Sequence, residues 1–497
     1  MSKEDVMDIL YKKLEKYHEW GIYPFHMPGH KRNEEAVDFL PGLTADITEI
    51  EGFDQLHHPA GTLKDAQRAA ARLFGADETF YSVNGSTGAL LAAVCACTTP
   101  GGALLMARNC HKSVYHAVCL GQLDSFYLYP KIVAPYGLNG SIQPIQVEKA
   151  LAAHPDVQAV LITSPTYDGI VSPVGEIAEI VHRRGIPLIV DEAHGAHFPF
   201  HEYFPAPALE QGADVVVHSL HKTLPSLTQT ALLHVRGERV EMGRIRRYME
   251  IFQTSSPSYL LMGSMDACIR RLADTGPELF NGYVDRLGRL RERLSKLRYI
   301  DLVDDDLSGH AAVWDLERSK LILDTRKSPM SGPQLYRWLW EEAGLQMEME
   351  AETYVLGMTS IADTDEGYDR LSQALEDLEG MWEREGRIPQ KRSALFRSDL
   401  ALASGEKILP IGRAVEQPCE TIPLSQSEGR IAGGSLYLYP PGIPLVVPGE
   451  KVTAGLIGMI MRSRAAGLAV QGLADTIDPA PGIPVIRKRQ DRFTDRG

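Results

Sequence analysis

Four short apolar runs between residues 159 and 235 constrain the fold of this chain more than any other feature. They are Ala159–Ser164, Pro187–Asp191, Ala213–Ser219 and Thr230–Val235. Each is rich in Val, Ile and Leu and apolar on both faces, a pattern typical of strands that helices cover on both sides. Helical stretches such as Val174–Arg184 separate several of them. This alternation predicts a mainly parallel sheet in an α/β layer architecture.

Changes in composition and apolar patterning along the chain predict four regions. An N-terminal helix and a Pro/Gly/His-rich arm occupy residues 1–58, and a large α/β domain occupies residues 59–285. A small α+β domain over 286–385 opens with a charged helix, Arg286–Leu297, and a C-terminal domain follows over 386–497. The charged segment 383–399 is interpreted as a linker or exposed crossing, and a further helix is predicted over Thr453–Ala466.

Composition and charge narrow the function. The chain has 65 acidic and 51 basic side chains, a formal charge of −14, which disfavours a nucleic-acid backbone as partner. An acidic field concentrates a small cationic substrate, although solubility alone also explains the charge. No apolar run approaches the roughly 20 residues of a membrane span, and the N-terminus lacks the apolar core of a signal peptide. We therefore predict a cytoplasmic protein. The six cysteines have no metal-ligand spacing, so no metal site is predicted.

Polar strings follow three of the predicted strands: SPTYDG, DEAHGAH and HSLHKT. Because ligands bind beyond the carboxyl ends of the strands in doubly wound sheets, these strings predict a site. Upstream, a helix begins near Ser86, and its free backbone amides with the Ser86 and Thr87 hydroxyls suit a phosphate. A capped helix behind a turn explains the same residues equally well.

Lys222 is the most informative single residue. A lysine at a buried strand end can have its amine pKa lowered and form a Schiff base. Asp191 ends the preceding strand, where a carboxylate could keep a pyridinium nitrogen protonated. Pyridoxal phosphate requires three binding features, and this lysine, this aspartate and the helix start at Ser86 would supply them. For His111, the spacing alone favours a loop imidazole satisfied by the backbone over a ring stacked on a cofactor.

Eight strings together resemble the Orn/Lys/Arg decarboxylase family of fold-type-I pyridoxal-phosphate enzymes, most closely its short Gram-positive-type members without an N-terminal wing domain. They run in the family's order from about residue 25 to 450, which is far more specific than any single motif. The strings are HMPGHK (His26–Lys31), NGSTG (Asn84–Gly88), RNCHKS (Arg108–Ser113), SPTYDG (Ser164–Gly169), DEAHGAH (Asp191–His197), SLHKTLPSLTQT (Ser219–Thr230), TSSPSY (Thr254–Tyr259) and YPPGIPLVVPGE (Tyr439–Glu450).

The resemblance implies a role for each matching residue. Lys222 would hold the cofactor covalently, and Asp191 would pair with the pyridine nitrogen. Ala193 would pack under the ring, and His111 would stack on its other face. This role for His111 replaces the interpretation as a loop imidazole satisfied by the backbone. Those implied to contact the phosphate are Ser86, Thr87, Ser219 and His221, and Ser255 would reach the phosphate of the neighbouring subunit in a homodimer or larger assembly. His194 would lie at the ring edge, where larger family members carry an aromatic residue. The proton at Cα would come from Lys222, His221 or His194.

The reaction that the resemblance implies is decarboxylation of a small cationic amino acid, arginine or lysine before ornithine, to its amine in polyamine biosynthesis. The HMPGHK and PPGIP segments resemble parts that close the substrate entrance. Candidates for binding the distal cation are Asp54, Glu428 and Glu450, although each more commonly has a structural role.

Two alternatives remain open from the sequence. An aminotransferase or β-eliminating lyase would share the lysine, aspartate and phosphate site, but a keto-acid substrate calls for an arginine clamp. Arg326, Arg337 and Arg370 lie in the appropriate region without a recognisable clamp motif. The other alternative is a non-catalytic regulator on the same scaffold, which the intact Lys222 and Asp191 disfavour.

Overall fold

The fold is taken from a computed structural model, which describes residues 21–25, 29, 31, 33, 49, 53–134, 136–304, 307, 310–387, 405–438, 443–465, 468–474 and 481–488. The predicted N-terminal helix, four residues of HMPGHK and residues 388–399 of the predicted linker lie outside these ranges.

The described strands and helices, numbered here in chain order, alternate through the first half of the chain. The strands are β1 (Tyr23–Phe25), β2 (Glu78–Ser82), β3 (Ala103–Ala107), β4 (Asp124–Leu128), β5 (Ile132–Val133), β6 (Leu138–Asn139), β7 (Val157–Thr163), β8 (Ile170–Val171), β9 (Leu188–Asp191), β10 (Val215–Ser219), β11 (Ala231–Val235), β12 (Asp301–Leu302), β13 (Asp315–Leu316), β14 (Lys320–Asp324), β15 (Leu345–Met347), β16 (Met349–Glu350), β17 (Tyr354–Met358), β18 (Cys419–Pro423), β19 (Leu436–Leu438), β20 (Ile443–Val446), β21 (Val470–Gln471) and β22 (Gly482–Ile486). The helices are α1 (Thr62–Phe74), α2 (Gly85–Cys97), α3 (Lys112–Leu120), α4 (Pro144–Ala153), α5 (Val174–His182), α6 (Leu220–Thr223), α7 (Met242–Ile251), α8 (Tyr259–Leu294), α9 (Gly332–Glu341), α10 (Asp365–Glu385), α11 (Ile411–Ala414) and α12 (Ala454–Ala465).

The central sheet has seven strands in the order β2-β11-β10-β9-β7-β3-β4. All neighbours are parallel except β11, which runs antiparallel to β10 and β2. The four predicted strands correspond to β7, β9, β10 and β11, each within two residues at either end. The predicted mainly parallel α/β sheet is therefore confirmed.

Both faces of this sheet are buried, which explains its apolar strands. In β10, Val216 belongs to one hydrophobic core, whereas Val215 and Val217 belong to the core on the opposite face. Helices α2 and α3 cover the second face, and α1 and α8 cover the first. Each fully buried Val or Leu contributes about 1.5–3 kcal/mol relative to an exposed one, so burial on both faces favours this layering strongly.

The charged helix predicted over Arg286–Leu297 is wrong as a separate element, because these residues continue α8 as far as Leu294. The buried stripe of α8 runs without a break through Phe280, Tyr283, Leu287 and Leu290. This stripe has helical spacing, so the change in surface charge near residue 285 does not interrupt the helix. The predicted domain boundary at 285/286 falls inside α8, and the division into domains stays a prediction.

Beyond α8 the chain forms two smaller layered units. The first has the antiparallel sheet β12-β14-β17-β16 with α9 and α10. The second combines β18-β22, β20-β19-β21 and α12 around a core of its own. Helix α12 agrees with the predicted helix to within one residue at each end. In the part of the chain that the structure describes, no helix has the length and apolarity to cross a bilayer.

Candidate active site

The carboxyl ends of β7, β9 and β10 meet at one edge of the central sheet. Register places Thr163 opposite Asp191, and Asp191 opposite Val217. A cavity of about 480 Å³ opens at this edge. Nine of the ten predicted site residues line it: Ser86, Thr87, His111, Asp191, Ala193, His194, Ser219, His221 and Lys222.

Lys222 reaches the cavity because the chain turns sharply after β10. The Leu220 amide donates to the Thr230 carbonyl at 3.1 Å, and the short helix α6 carries Lys222 across the sheet edge. Burial lowers the pKa of the Lys222 amine, while Asp191 and Glu348 oppose that shift. The neutral amine, which is the nucleophilic form, is thereby favoured.

Asp191 lies buried at the end of β9. One carboxylate oxygen accepts the Ala193 amide at 3.2 Å. Burial raises the pKa of Asp191, and the positive charge on Lys222 acts in the opposite direction. A further cation facing this carboxylate would favour its ionised form.

Hydroxyl groups surround the start of α2, the predicted phosphate site. Gly85 adopts φ +62°, which lets the chain turn into the helix, and the Ser86 and Ser219 hydroxyls are hydrogen-bonded to each other. His221 donates its Nδ1–H to the Thr230 carbonyl at 2.9 Å, which orients its ring. Free amides and hydroxyls in this arrangement suit an anion such as a phosphate.

Two further polar atoms on the cavity wall have no hydrogen-bond partner among the described residues. These buried atoms are Thr163 Oγ1 and Asn109 Oδ1. Because buried polar atoms are nearly always paired, they indicate a cavity built for a polar ligand. With Lys222, Asp191 and the hydroxyls at α2, the residues present fit pyridoxal phosphate.

His111 is the N-cap residue of α3 and projects its ring into the cavity wall. Its Nδ1 lies 2.8 Å from the Ser113 hydroxyl and accepts the Ser113 amide at 3.3 Å. Burial, helped by the charge of Lys222, lowers the pKa of His111 to about 3. The ring is therefore a neutral aromatic surface that is hydrogen-bonded locally and lines the cavity, and its stacking on a cofactor ring stays a prediction.

Ser255 is exposed and does not line the cavity of its own chain. Its predicted contact with a neighbouring subunit stays a prediction.

The structure also brings one residue from each of the HMPGHK and PPGIP segments to the site. The Gly29 amide of HMPGHK donates to the His221 carbonyl, and a Cβ at Gly29 would lie 2.7 Å from the Leu224 backbone. Ile443 of PPGIP lines the cavity. Only glycine permits the close approach at position 29.

None of the three acids proposed for the substrate's distal cation lines the cavity. Asp54 caps the start of α1 by accepting backbone amides, including Gly61 at 2.7 Å. Glu450 is buried in an ion pair with Arg108 at 3.1 Å, and Glu428 is exposed. Asp54 and Glu450 therefore have structural roles, and Glu428 lies at the surface.

Glu348 is the carboxylate that sequence reasoning missed. It lies between β15 and β16, lines the cavity and accepts a hydrogen bond from the Tyr167 hydroxyl. Tyr167 stands inside the SPTYDG motif, but Glu348 lies in the string QMEMEAE, which carries no motif. Nothing local in the sequence distinguishes it from its acidic neighbours.

An arginine clamp is not found at this cavity among the described residues that line it. Arg326 pairs with Asp324 at 2.8 Å, and Arg370 donates to the carbonyls of Gly21 and Gly344. These contacts give Arg326 and Arg370 structural roles rather than a place at the cavity.

A mainly parallel sheet with this lysine and carboxylate at its carboxyl edge is the architecture of fold-type-I enzymes. The solved structure of lysine decarboxylase A from Pseudomonas aeruginosa has the same fold, with a TM-score of 0.76 at 21% identity over 96% of this chain and 80% of that one.

Sequence comparison then specifies the family. The model of the Orn/Lys/Arg decarboxylase major domain matches residues 9–321, and the model of its C-terminal domain matches 409–470. The arginine decarboxylase of Bacillus subtilis is 33% identical over 94% of this chain and 96% of that protein. That of Halalkalibacterium halodurans is 34% identical over 91% and 92%. The chain belongs to the Orn/Lys/Arg decarboxylase family and is a carboxy-lyase, which confirms the resemblance and sets aside the non-catalytic alternative.

Proposed function

We propose that this enzyme uses pyridoxal phosphate to remove the α-carboxylate of a basic L-amino acid, with arginine as first substrate, lysine second and ornithine less favoured. The observation that carries the proposal is the placement of Lys222 and Glu348 on the wall of one cavity. An amine nucleophile and a carboxylate suited to a distal cation are what this reaction requires.

Lys222 would hold the cofactor, and Asp191 would pair with its ring nitrogen. His111 and Ala193 would contact opposite faces of the ring, with His194 at its edge, and the hydroxyl groups at the start of α2 would hold the phosphate. The phosphate ligands in this proposal are Ser86, Thr87, Ser219 and His221. When bound, the cofactor supplies an electron sink for the pair released from the carboxylate.

The charge states of three residues in this chain favour that reaction. The lowered pKa of Lys222 favours a neutral nucleophile. The neutral ring of His111 adds no positive charge beside the cofactor. Ionised Asp191 stabilises positive charge opposite it, and such a fixed electrostatic partner lowers the barrier most when charge develops in the transition state.

Glu348 binds the substrate's distal cation, and the hydrogen bond from Tyr167 orients its carboxylate. A planar guanidinium can form two parallel hydrogen bonds to a carboxylate, whereas an ammonium acts as a point charge. The full-length similarity to proteins named arginine decarboxylase supports placing arginine first.

The assembly proposed is a homodimer or larger homo-oligomer in the cytoplasm. In it, Ser255 reaches the phosphate site of the neighbouring subunit, and the exposure of this serine supports a contact outside its own chain. The amine product then enters polyamine biosynthesis.

Product analysis tests the proposal directly. The purified protein is incubated with pyridoxal phosphate and, separately, L-arginine, L-lysine and L-ornithine. We expect carbon dioxide with agmatine from arginine and slower release of cadaverine from lysine. A cofactor-loaded protein that produces keto acids and no amine would support the aminotransferase alternative instead.

A further inference from the structure

His194 bridges two buried lysines that belong to different layers of the fold. Its Nε2 lies 2.9 Å from Lys222 Nζ at the edge of the central sheet. Its Nδ1 lies 2.8 Å from Lys320 Nζ, at the first residue of β14 in the small antiparallel sheet. Lys320 is 2% exposed. The imidazole is therefore the only contact that the described hydrogen bonds provide between these two amines.

Hydrogen-bond stoichiometry limits the protons in this trio. A neutral imidazole has one N–H donor and one acceptor nitrogen, whereas an ammonium can only donate. Both contacts can be hydrogen bonds only when at least one of the two lysines is a neutral amine, so the two cannot both be ammonium ions. Burial, together with the charges of Lys222 and Lys320, lowers the pKa of His194 well below its ordinary value, so its ring is neutral.

Other charged groups act on the trio from the elements around it. Lys222 faces Asp191 and Glu348, and burial lowers the pKa of Lys320 to about 8 against the opposing effect of Glu317 and Glu348. The Tyr167 ring packs against His194 at 4.8 Å between centroids. The remaining groups near the trio are His111 and His221, which act on His194, and Lys31, which acts on Lys320.

We propose that Lys320 and His194 form a proton relay that serves Lys222. The Lys320 ammonium gives a proton to His194 Nδ1 while the Nε2–H proton passes to Lys222 Nζ. Two protons shift, the net result is transfer of one proton from Lys320 to Lys222, His194 exchanges one neutral tautomer for the other, and no electrons are transferred. Lys320 is a positioning residue, since it acts through His194.

The relay would give Lys222 both protonation states that its proposed role requires. As a neutral amine, Lys222 is the nucleophile that takes up the cofactor. After the carboxylate has left, the relay would return a proton to Lys222, and the resulting ammonium could deliver that proton to the Cα that lost its carboxylate. This use of the relay rests on the proposed function.

The first test measures the amine of Lys222 in the protein without cofactor. Competitive acetylation across a pH series, read by peptide mass spectrometry, gives the titration midpoint of Lys222. We expect K320Q to raise that midpoint by about one pH unit, because the cation that favours a neutral Lys222 is removed. The matched control is H234Q, a buried histidine bonded on both ring nitrogens, to His218 and Thr79, away from the cavity. It should leave the midpoint unchanged.

The second test separates proton transfer from charge. K320R keeps a cation beside His194, but a guanidinium does not release its proton. We expect K320R to keep the low midpoint of Lys222 yet lose about 10²-fold in kcat with little change in KM, the size of a lost acid–base step. H194Q, which can accept from Lys320 and donate to Lys222, should show the same split.

Two results would overturn the relay: an unchanged midpoint in K320Q, or wild-type kcat in both K320R and H194Q. Circular dichroism and thermal unfolding establish that each variant folds. If the Lys320 variants do not fold, H194Q alone tests the relay. Failure of the proposed function is distinguishable, because the wild-type protein would then release no amine while the acetylation result would still stand.

Discussion

Replacing Glu348 with glutamine tests how the cavity recognises a basic substrate. Glutamine has nearly the same shape and still accepts the hydrogen bond from Tyr167, so E348Q removes the charge and little else. A hydrogen bond to a charged group contributes about 1.5–3 kcal/mol, against about 0.5–1.5 for a neutral one. The difference of about 1–2 kcal/mol corresponds to a loss of about 5- to 30-fold in kcat/KM for arginine. A direct Coulomb attraction at about 4 Å and moderate screening, near 4 kcal/mol, sets the upper bound.

The effect of E348Q on Lys222 acts equally on arginine and on an uncharged analogue, so it cannot produce a loss specific to arginine. Glu348 raises the pKa of Lys222, so removing its charge favours the neutral, nucleophilic amine. Any gain in cofactor capture would therefore oppose the expected decrease in activity.

Steady-state kinetics with arginine and its uncharged isostere citrulline provide the assay. E348Q should lower kcat/KM for arginine and leave the low activity on citrulline nearly unchanged. The matched control is E350Q, because Glu350 is two residues away in β16, faces Arg337 and does not line the cavity. An equal loss for both substrates, or an equal loss in E350Q, would refute recognition of the distal cation by Glu348.

Three other predictions follow from the same structure. D191N should lower kcat/KM by more than about 10²-fold while cofactor still binds, because a preorganised charge partner is lost; wild-type kinetics would contradict the role of Asp191. E450A should lower the free energy of unfolding in urea by about 3–5 kcal/mol, because it leaves the buried guanidinium of Arg108 unpaired; a loss below about 1 kcal/mol would contradict this. The rate at which the apoprotein captures pyridoxal phosphate should rise with pH as Lys222 loses its proton, and burial moves this rise below the ordinary lysine pKa of about 10.4. A midpoint at that ordinary value would contradict the lowered pKa.

Local sequence patterns determined the central sheet and much of its site. The strands β7, β9, β10 and β11 were predictable because burial on both faces demands continuous apolar runs. Asp191 and Lys222 were predictable because they directly follow such runs, and the ends of neighbouring parallel strands meet at one edge. The sequence alone therefore indicated a site that combines a lysine, a carboxylate and a phosphate-binding helix start.

The separate helix predicted to begin at Arg286 shows where local patterns mislead. The surface of α8 becomes more charged there, but its buried stripe continues to Leu294. The end of a helix is determined by its backbone hydrogen bonds and by its buried face. The charge of its exposed residues indicates neither.

Only the tertiary structure decided which groups complete the site. Glu348 meets Tyr167 from 181 residues away, and Lys320 meets His194 from 126 residues away. No periodicity or strand-end rule connects residues so distant in sequence, because their approach depends on how the small antiparallel sheet packs against the central one. The sequence determined the chemistry carried by each strand end; the packing of the two sheets determined which distant carboxylate and which second lysine face it.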